Sequence, residues 1–406
     1  MATKISNLET HLHFFAPCPR GLELALADEL VELCAYSTQP TKGGVEFQGD
    51  WNTCYRANLE SRIASRILWK ITEDTYHDEK DIYHITHALA WPEWFAISNT
   101  IRVNLTAIKS PLRSLDFTTL KIKDAICDKF RETTGQRPSV DTAQPDVRIH
   151  GFLDAKTFTL YLDTSGEALF KRGLRKVAGK APIRENLAAG ILRLTGWQPG
   201  IPLLDPMCGS GTFLLEAAQI TFNIPPGLKR RFAFEKFRHF DQTLWDRLKQ
   251  TAISAQLPII PQPIFGSDLY GDALTDAITN LSAAGLVDAV KLKQANILEI
   301  TPTLSNGIVV TNPPYGNRIG EQQALAEFYP KLGDVLKKKF SSWQVFILSA
   351  DPTLPKLIRL KATRRTPLFN GALECRLFEY KMVSGEMKKK KSSDTARQAA
   401  PISSLR

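Results

Sequence analysis

The stretch Thr311-Asn312-Pro313-Pro314-Tyr315-Gly316 decides how the rest of this chain is interpreted, and it follows the apolar run Gly307-Ile308-Val309-Val310. Such a run is typical of a buried parallel strand. Because the two prolines forbid both helix and ladder continuation, the chain must leave the sheet there in an extended form. An amide, backbone carbonyls and an aromatic ring then lie at the carboxyl end of a strand, where open α/β sheets bind ligands. The amide and a carbonyl can accept hydrogen bonds from an exocyclic amino group, and the Tyr315 ring can stack on its base.

A glycine loop follows an earlier strand of the same kind. The apolar run Ile201 to Asp205 leads into Pro206-Met207-Cys208-Gly209-Ser210-Gly211-Thr212, and a helix is predicted from Phe213 to Ile220. Glycines let the backbone approach a ligand closely and helix N–H groups point at it, so the unit suits an adenosine-containing ligand. The spacing is neither G-x-G-x-x-G nor that of a P-loop. A plain structural turn is the alternative interpretation of this loop.

A carboxylate ends the next predicted strand, Ile264 to Asp268. One carboxylate can accept hydrogen bonds from both hydroxyls of a ribose, whereas the alternative role of Asp268 is a helix N-cap. Apolar spacing predicts the following helix, Ala273 to Ala284, with its inward side chains at Leu274, Ala277, Ile278 and Leu281. The segment Gln294-Ala295-Asn296-Ile297 then comes after a third short strand.

Length and composition set the general class. At 406 residues the chain is long enough for two or three domains, and its net charge of +10 with pI ≈ 9.2 favours a polyanionic partner. The six cysteines are scattered without a C-x-x-C pair, which predicts reduced thiols and no zinc site. No stretch approaches the roughly 20 apolar residues of a membrane span, and the polar start is unlike a signal peptide. We therefore expect a cytoplasmic protein.

Two segments are candidates for contact with RNA. The basic run Lys171-Arg172-Gly173-Leu174-Arg175-Lys176 is a predicted linker that could contact phosphates. The insertion from Asn223 to Pro263 is rich in aromatic and basic residues, including Arg230 and Arg231, as suits single-stranded RNA. Our preferred alternative for its aromatic residues is the core of a helical flap.

The chain before residue 165 shows α+β patterns without a tight cluster of titratable residues. Helices are predicted from Leu22 to Leu33, with Glu29 facing outward, and from Trp51 to Ile71. The arginines of the second helix more often solvate a helix than bind RNA. Strands are predicted from Val147 to Leu153 and from Thr157 to Asp163. These modules are expected to bind rather than to catalyse.

The segments Asp205 to Thr212 and Thr311 to Tyr315 together resemble the class I methyltransferases that methylate exocyclic amino nitrogens. The wider chain is similar to bacterial 23S rRNA guanine-N2 methyltransferases that carry a THUMP domain. The further matching segments are Pro17-Cys18-Pro19-Arg20-Gly21-Leu22-Glu23, Phe170-Lys171-Arg172-Gly173, Ala181-Pro182-Ile183-Arg184-Glu185-Asn186-Leu187-Ala188 and Asn370-Gly371-Ala372-Leu373-Glu374-Cys375-Arg376-Leu377.

The resemblance implies an α/β chain with several parts. A ferredoxin-like domain is expected over 1–69, a THUMP RNA-binding domain over 70–165 and a basic linker over 166–175. A Rossmann-like class I methyltransferase domain with a mostly parallel sheet is expected over 176–385, and a disordered Lys-rich tail over 386–406. Large members of the family fuse a second methyltransferase, so this shorter chain is expected to carry a single activity.

The implied reaction is transfer of a methyl group from S-adenosylmethionine to the N2 of a guanine in 23S rRNA. The expected catalytic residues are Asn312, Pro313, Pro314 and Tyr315. The expected cofactor-binding residues are Asp205, Pro206, Cys208, Gly209, Gly211, Thr212, Asp268 and Asn296. The expected RNA-binding residues are Lys171, Arg172, Arg175, Lys176, Arg230 and Arg231. A monomer without metal is expected.

One position departs from the family pattern. The family has an acidic residue after the third strand, where it contacts the adenine of the cofactor. The nearest residue here is Asn296, whose amide can still pair with the adenine edge.

Three alternatives remain open at this level. A tRNA guanine-N2 methyltransferase can share the same arrangement. A non-catalytic RNA-binding assembly factor could keep the fold without the chemistry. A nicotinamide-linked dehydrogenase is a third, although the chain lacks its G-x-G-x-x-G fingerprint.

Overall fold

The computed structural model describes residues 11–174, 176–177, 183–314 and 319–383, with only the backbone described over 319–324. The front half contains strands and helices in the order β1 Leu12–Pro17, α1 Glu23–Glu32, β2 Tyr36–Thr41, β3 Gly44–Gly49, α2 Trp51–Glu60, β4 Leu68–Thr75, α3 Glu79–His87, α4 Trp91–Trp94, β5 Ile101–Ala107, α5 Leu115–Thr134, β6 Val147–Leu153 and β7 Thr157–Asp163. The second half continues with α6 Glu185–Leu194, β8 Leu203–Asp205, α7 Thr212–Thr221, α8 Gln242–Ser254, β9 Ile264–Asp268, α9 Gly271–Ala284, β10 Val290–Gln294, β11 Gly307–Thr311, α10 Ile319–Lys339, β12 Trp343–Ser349, α11 Leu354–Leu357, β13 Arg364–Asn370 and β14 Leu373–Lys381. Short 3-10 turns lie at Ala233–Lys236 and Val287–Ala289.

The front half forms one continuous sheet in the order β2-β3-β1-β4-β7-β6-β5. Strand β4 pairs with both β1 and β7, so the two predicted modules share this sheet and the expected boundary at residues 69–70 falls within β4. Strand β6 alternates buried and half-exposed residues, the mark of a sheet with one covered face. The covered face packs against α1, α2 and α5, and the other face, which we term the open face, is only partly shielded.

Helix α2 is shorter than its apolar spacing predicts, and the reason is a buried carboxylate. Glu29 was expected to face outward, but it is only 8% exposed. Its carboxylate accepts hydrogen bonds from the Ser61 hydroxyl and from the backbone N–H groups of Arg62 and Ile63, the latter two at 3.1 and 3.3 Å. These N–H groups therefore no longer need helical partners, and α2 ends at Glu60.

The second half forms a doubly wound sheet in the order β10-β9-β8-β11-β12-β14-β13. Strands β10, β9, β8, β11 and β12 are parallel, while β14 pairs antiparallel with β12 and forms a hairpin with β13. The prediction of an α/β domain with a mostly parallel sheet behind α+β modules is confirmed. Among the described residues, no helix has the length and apolar character needed to cross a membrane.

A buried polar network joins the two halves. The Arg172 guanidinium pairs with the Glu216 carboxylate, and both side chains are at most 3% exposed. Arg172 also donates to the Arg62 carbonyl at 2.9 Å, while Arg62 donates to the Gln219 and Ile224 carbonyls at 3.3 and 2.7 Å. Burial lowers the pKa of the Arg62 guanidinium to about 10. The linker arginine therefore closes the junction instead of facing solvent.

The aromatic insertion reinforces the same junction. Phe234 stacks on Tyr55 of α2 with ring centroids 4.4 Å apart, and Trp245 lies edge-on to both rings. Phe232, Phe234 and Trp245 are each at most 3% exposed. Our preferred reading of these aromatic residues as core is confirmed, because stacked buried rings cannot also stack on RNA bases.

Candidate functional site

Four neighbouring parallel strands bring the predicted site residues to one edge of the sheet. In the order β10-β9-β8-β11, the strands end two residues before Asn296, at Asp268, at Asp205 and directly before Asn312. Asp205 lies opposite Gly266 of β9, and Asp268 lies opposite Gln294 of β10. The carboxyl edge of a parallel sheet is where ligands bind in this architecture, so the register itself assembles a candidate site.

The glycine loop after β8 has the backbone conformation that its composition predicts. Gly209 and Gly211 have φ values of +53° and +79°, a region that disfavours other residues. The loop is tied to the next strand by the Cys208 N–H, which donates to the Ser267 carbonyl at 2.9 Å. A Cβ placed on Gly209 would meet no atom within 4 Å, so the space above this glycine is open. A ligand can therefore lie directly against the loop backbone.

Asp268 connects the glycine loop with the start of α9. Its carboxylate is 8% exposed and accepts from the Gly209 N–H at 2.9 Å and from the Tyr270 N–H at 3.0 Å. Tyr270 itself is the N-cap residue of α9 and makes no side-chain cap. Asp268 thus fixes the spacing between two loops at the sheet edge, and its remaining lone pairs are the acceptors that could meet a ribose.

Asp205 is a buried carboxylate without a cationic partner in the described part of the chain. It is 2% exposed and accepts from the Met207 N–H at 3.3 Å. Burial raises its pKa from 3.8 to about 7, the nearby Thr311 and Met207 oppose this shift, and the Asp268 charge adds to it. A positively charged ligand group beside Asp205 would favour the ionised form.

Cys208 has no nucleophilic character in this environment. Its side chain is 7% exposed, and burial together with the Asp205 and Asp268 charges raises the pKa of the thiol. A thiol rather than a thiolate is therefore present at neutral pH, and a covalent role is unsuitable. Pro206 and Thr212 are buried at the two ends of the loop.

The Asn312 segment leaves β11 as its prolines predict. Strand β11 ends at Thr311, and Asn312 is half-buried, Pro313 buried and Pro314 exposed. The segment is anchored by the fully buried strand, since β11 pairs on either side with β8 and β12. Tyr315 lies outside the described residues, as does Arg175.

Asn296 lies at the expected place after β10 and is half-buried. Its side-chain oxygen accepts from the Leu298 N–H at 3.0 Å, which is a local turn contact. The side-chain NH₂ group is then the part of Asn296 best suited to an adenine nitrogen.

Asn280 of α9 is a residue that sequence reasoning missed. It is 1% exposed, and its oxygen accepts from the backbone N–H groups of Lys176 and Val177 at 2.8 and 3.1 Å. Its amide donates to the carbonyls of Val177 and Ser210, both at 3.0 Å. The interdomain linker and the glycine loop are therefore held by one side chain.

The helical phase of α9 explains why Asn280 was overlooked. Ile278, which was expected to face inward, is 45% exposed, so that prediction is wrong. Asn280 lies three residues after the fully buried Ala277, and Ala277 is the nearest neighbour of a Cβ placed on Gly211. The available signal was an asparagine on the face that carries Ala277 and Leu281.

The residues expected to bind RNA divide into buried and exposed sets. Arg172 has protein partners for its guanidinium, so we withdraw it from the RNA-binding candidates. Arg230 likewise donates to the carbonyls of Glu167, Ala168 and Lys171 at 2.6 to 2.8 Å, and we withdraw it too. Lys171, Lys176 and Arg231 are exposed, although Lys171 pairs with Glu167 at 2.7 Å.

Comparison with known families accounts for nearly the whole described chain. The family described as RMKL-like, methyltransferase domain matches residues 172–379, the THUMP domain matches 76–163, and the RlmL ferredoxin-like domain matches 13–68. This chain belongs to the THUMP-bearing RMKL-like methyltransferases. Its methyltransferase domain is the one that carries Asp205, Asp268 and Asn312.

Individual relatives are similar over most of the chain. A Synechocystis sp. protein named as an RNA methyltransferase by inference is 38% identical to this chain. The matched region covers 91% of this chain and 96% of that protein. The ribosomal RNA large subunit methyltransferase K/L of Aeromonas salmonicida is 40% identical over 91% of this chain but only 54% of its own length. The methyltransferase chain thus spans about half the length of the K/L relatives.

A solved structure shares the same architecture. The crystal structure of a protein described by inference as a methyltransferase, solved with SAH bound, superposes on this chain with a TM-score of 0.85. The two sequences are 31% identical. The match covers 93% of this chain and 99% of that protein. The relative arrangement of front half and methyltransferase domain is therefore similar in the two chains.

Proposed function

We propose that this methyltransferase transfers a methyl group from S-adenosylmethionine to the exocyclic N2 of a guanine in 23S rRNA. The observation that carries the proposal is Asn312-Pro313-Pro314 at the carboxyl end of β11, beside the strand end that holds Asp205 and the glycine loop. An amide and a carbonyl at this position suit an amino group as the methyl acceptor.

The site residues fit the cofactor. The open space over Gly209 leaves room for a ligand against the loop backbone. Asp205, buried without a cation, is complementary to the ammonium of the methionine part, and Asp268 has acceptors for the ribose. S-adenosylmethionine, when bound, supplies an electrophilic methyl group. The crystallised relative with SAH supports this choice of cofactor.

The residues of this chain would activate a poor nucleophile. The lone pair of guanine N2 is delocalised into the ring, and the Asn312 side-chain oxygen and Pro313 carbonyl would accept its two N–H bonds. Acceptors placed in advance stabilise the positive charge that develops on nitrogen as it attacks. Pro314 stiffens the segment, and Tyr315 would stack on the base. Most of the rate enhancement would come from this positioning.

The choice of 23S rRNA is supported by the names of the K/L relatives. Large-subunit RNA fits the net charge of +10, because a basic surface gains affinity from phosphates. A base inside an rRNA helix must be unstacked to reach the strand end, so the enzyme would flip the base or act on partly assembled rRNA.

The test is nucleoside mass spectrometry of 23S rRNA and tRNA from cells with and without the gene. Loss of N2-methylguanosine from 23S rRNA is expected, with restoration by the native gene and none by Asn312→Ala. Loss from tRNA alone would overturn the rRNA substrate in favour of tRNA. Unchanged methylation in both pools would contradict the enzymatic proposal and favour an assembly factor.

A further inference from the structure

An unbalanced group of arginines lies on the open face of the front sheet. Strands β5 and β6 run parallel in register, and Arg102 lies directly opposite Arg148. Like charges directly opposite one another on neighbouring strands are destabilising. Both side chains are half-buried, so solvent screens this repulsion only in part. The fold therefore holds a locally unfavourable arrangement.

The nearest carboxylate does not balance these charges. Asp163 of β7 is fully buried, and its side chain is already engaged by Arg66. The His150 ring nitrogen Nε2 lies 3.4 Å from the same carboxylate oxygen, while the other oxygen accepts from the Ser165 and Gly166 N–H groups at 2.9 and 3.1 Å. Both oxygens of Asp163 are thus already engaged by other groups, and no ion pair joins Asp163 to Arg148 within the described residues.

Of the arginines on this face, Arg148 is the one whose guanidinium has no partner within the described residues. Within the described residues its guanidinium makes no hydrogen bond and no ion pair, whereas Arg102 donates to the Thr142 carbonyl at 2.5 Å. Burial lowers the pKa of Arg148 and the Arg66 and Arg102 charges lower it further, while the Asp163 and Glu167 charges oppose the shift without reversing it. The Arg148 guanidinium thus lies near two other arginines without an ion pair of its own, and its half-buried fork of N–H donors is left over.

We propose that Arg148, with Arg102 and Arg66, forms a phosphate-binding site on the open face that grips the RNA substrate. We refer to these three residues as the arginine cluster. The planar guanidinium fork matches phosphate oxygens bidentately, and a phosphate would relieve the repulsion between Arg102 and Arg148. The site lies in the front sheet, apart from the methyltransferase strand ends, so it would bind RNA backbone and not the reacting base. This inference rests on the proposed RNA substrate.

The test is filter binding of protein-free 23S rRNA to the full chain as a function of salt. Arg148→Gln should weaken binding about tenfold, as expected for loss of a hydrogen bond to a charged group. It should also reduce the slope of log Kd against log salt by about 1, the value for one phosphate contact. Affinity for S-adenosylmethionine should stay at the native value.

The matched control is Arg247→Gln. Arg247 is an exposed arginine of α8, a helix that packs on α2 and so lies behind the covered face of the front sheet. The same charge is removed there, so a general electrostatic effect would weaken RNA binding equally in both variants. Equal weakening, or native affinity in Arg148→Gln, would overturn the arginine cluster as an RNA site.

A stability measurement separates binding from folding. Because Arg148→Gln removes a repelled charge, its thermal midpoint should equal or exceed that of the native chain. A clearly lower midpoint would mean that Arg148 supports the fold, and would overturn the proposal. Transfer of labelled methyl groups to 23S rRNA by the native chain is measured in parallel. Absence of that transfer counts against the proposed function, whereas transfer with unaltered Arg148→Gln binding counts against this site alone.

Discussion

The two seven-stranded sheets of this methyltransferase carry unpaired side chains of opposite charge: carboxylates on the second sheet and arginines on the front sheet. The carboxyl edge of the second sheet carries Asp205 and Asp268, and neither has a cationic partner within the described chain. The open face of the front sheet carries Arg102 and Arg148 with too few carboxylates. Each surface is short of the opposite charge, so each is complementary to a different part of the proposed reaction: a cationic cofactor in one case and a phosphate backbone in the other.

The difference shows how each kind of sheet makes a site. In the parallel sheet, the site comes from strand ends, because residues distant in sequence meet wherever neighbouring strands stop. In the front sheet, the arginine cluster comes from alternation, since every second residue of β6 reaches the open face. The first geometry can surround a small ligand, and the second can only support a chain that lies across it.

The largest effect on stability is expected where the two regions meet. Glu216→Gln leaves the buried Arg172 and Arg62 charges without their carboxylate. Breaking one partner of a buried pair costs about 3–5 kcal/mol, so the free energy of unfolding should fall by that amount in urea titrations. The control is Glu60→Gln in the half-exposed pair with Arg56, where the loss should stay below about 1 kcal/mol. Similar losses in both variants would show that the junction is not a dry, closed contact.

The strand-end site should lose its chemistry in Asn312→Ala. Removal of one preorganised charge-stabilising group slows catalysis about 100- to 1,000-fold, and kcat for methyl transfer should fall accordingly. Affinity for S-adenosylmethionine, measured by calorimetry, should not change. Asn312→Asp keeps an acceptor oxygen and should retain more activity than Asn312→Ala. Equal activities in the two variants would contradict acceptance of the amino protons by Asn312.

The charge deficit at the same edge predicts a pH effect on Asp205. Its pKa of about 7 in the folded chain lies above the ordinary 3.8, so between these values the folded state holds a proton that the unfolded state has released. This contribution to stability is present at low pH and is lost as pH rises from about 4 to 7, by up to about 1.4 kcal/mol per pH unit.

Asp205→Asn should remove that pH dependence. In the absence of cofactor, the difference in unfolding free energy between Asp205→Asn and the native chain should shift in favour of the variant as pH rises from 5 to 8. Affinity for S-adenosylmethionine should fall, because a neutral amide does not attract an ammonium. Parallel stability curves for the two chains would rule out a buried, unpaired Asp205.

A smaller effect is expected at Asn280, which ties the linker to the glycine loop. Asn280→Ala removes its hydrogen bonds to two N–H groups and two carbonyls, and we expect a total loss of about 1–3 kcal/mol in the free energy of unfolding. KM for S-adenosylmethionine should rise more than kcat falls, because the loop that holds the cofactor loosens. Asn280→Asp keeps the acceptor towards the linker and should be intermediate. Thr279→Ala, on the exposed side of α9, is the control and should behave as the native chain.

Sequence patterns predicted the strands that carry the site residues, but they predicted helix ends and the burial of individual side chains less well. The strands Val147–Leu153, Thr157–Asp163 and Ile264–Asp268 have the predicted bounds, because alternation and turn residues act locally. Helix α2 was predicted too long, since apolar spacing cannot reveal that Glu29 binds the N–H groups after Glu60. Ile278 was assigned to the wrong side of α9, and Asn280 was missed, for a related reason: several helical phases fit the same short pattern.

The sequence by itself determined that a strand ends in Asn312-Pro313-Pro314 and that a glycine loop follows another strand, because proline and glycine restrict the backbone wherever they occur. Only the tertiary structure decided which charges are matched. Arg172 was expected on the surface and instead meets Glu216, 44 residues away, while Arg66 meets Asp163, 97 residues away. Arg148 is left without a partner because Arg66 already pairs with Asp163, while β5 brings Arg102 opposite to it. Charge pairing depends on which distant segments pack together, and that is set by the whole fold rather than by the order of neighbouring residues.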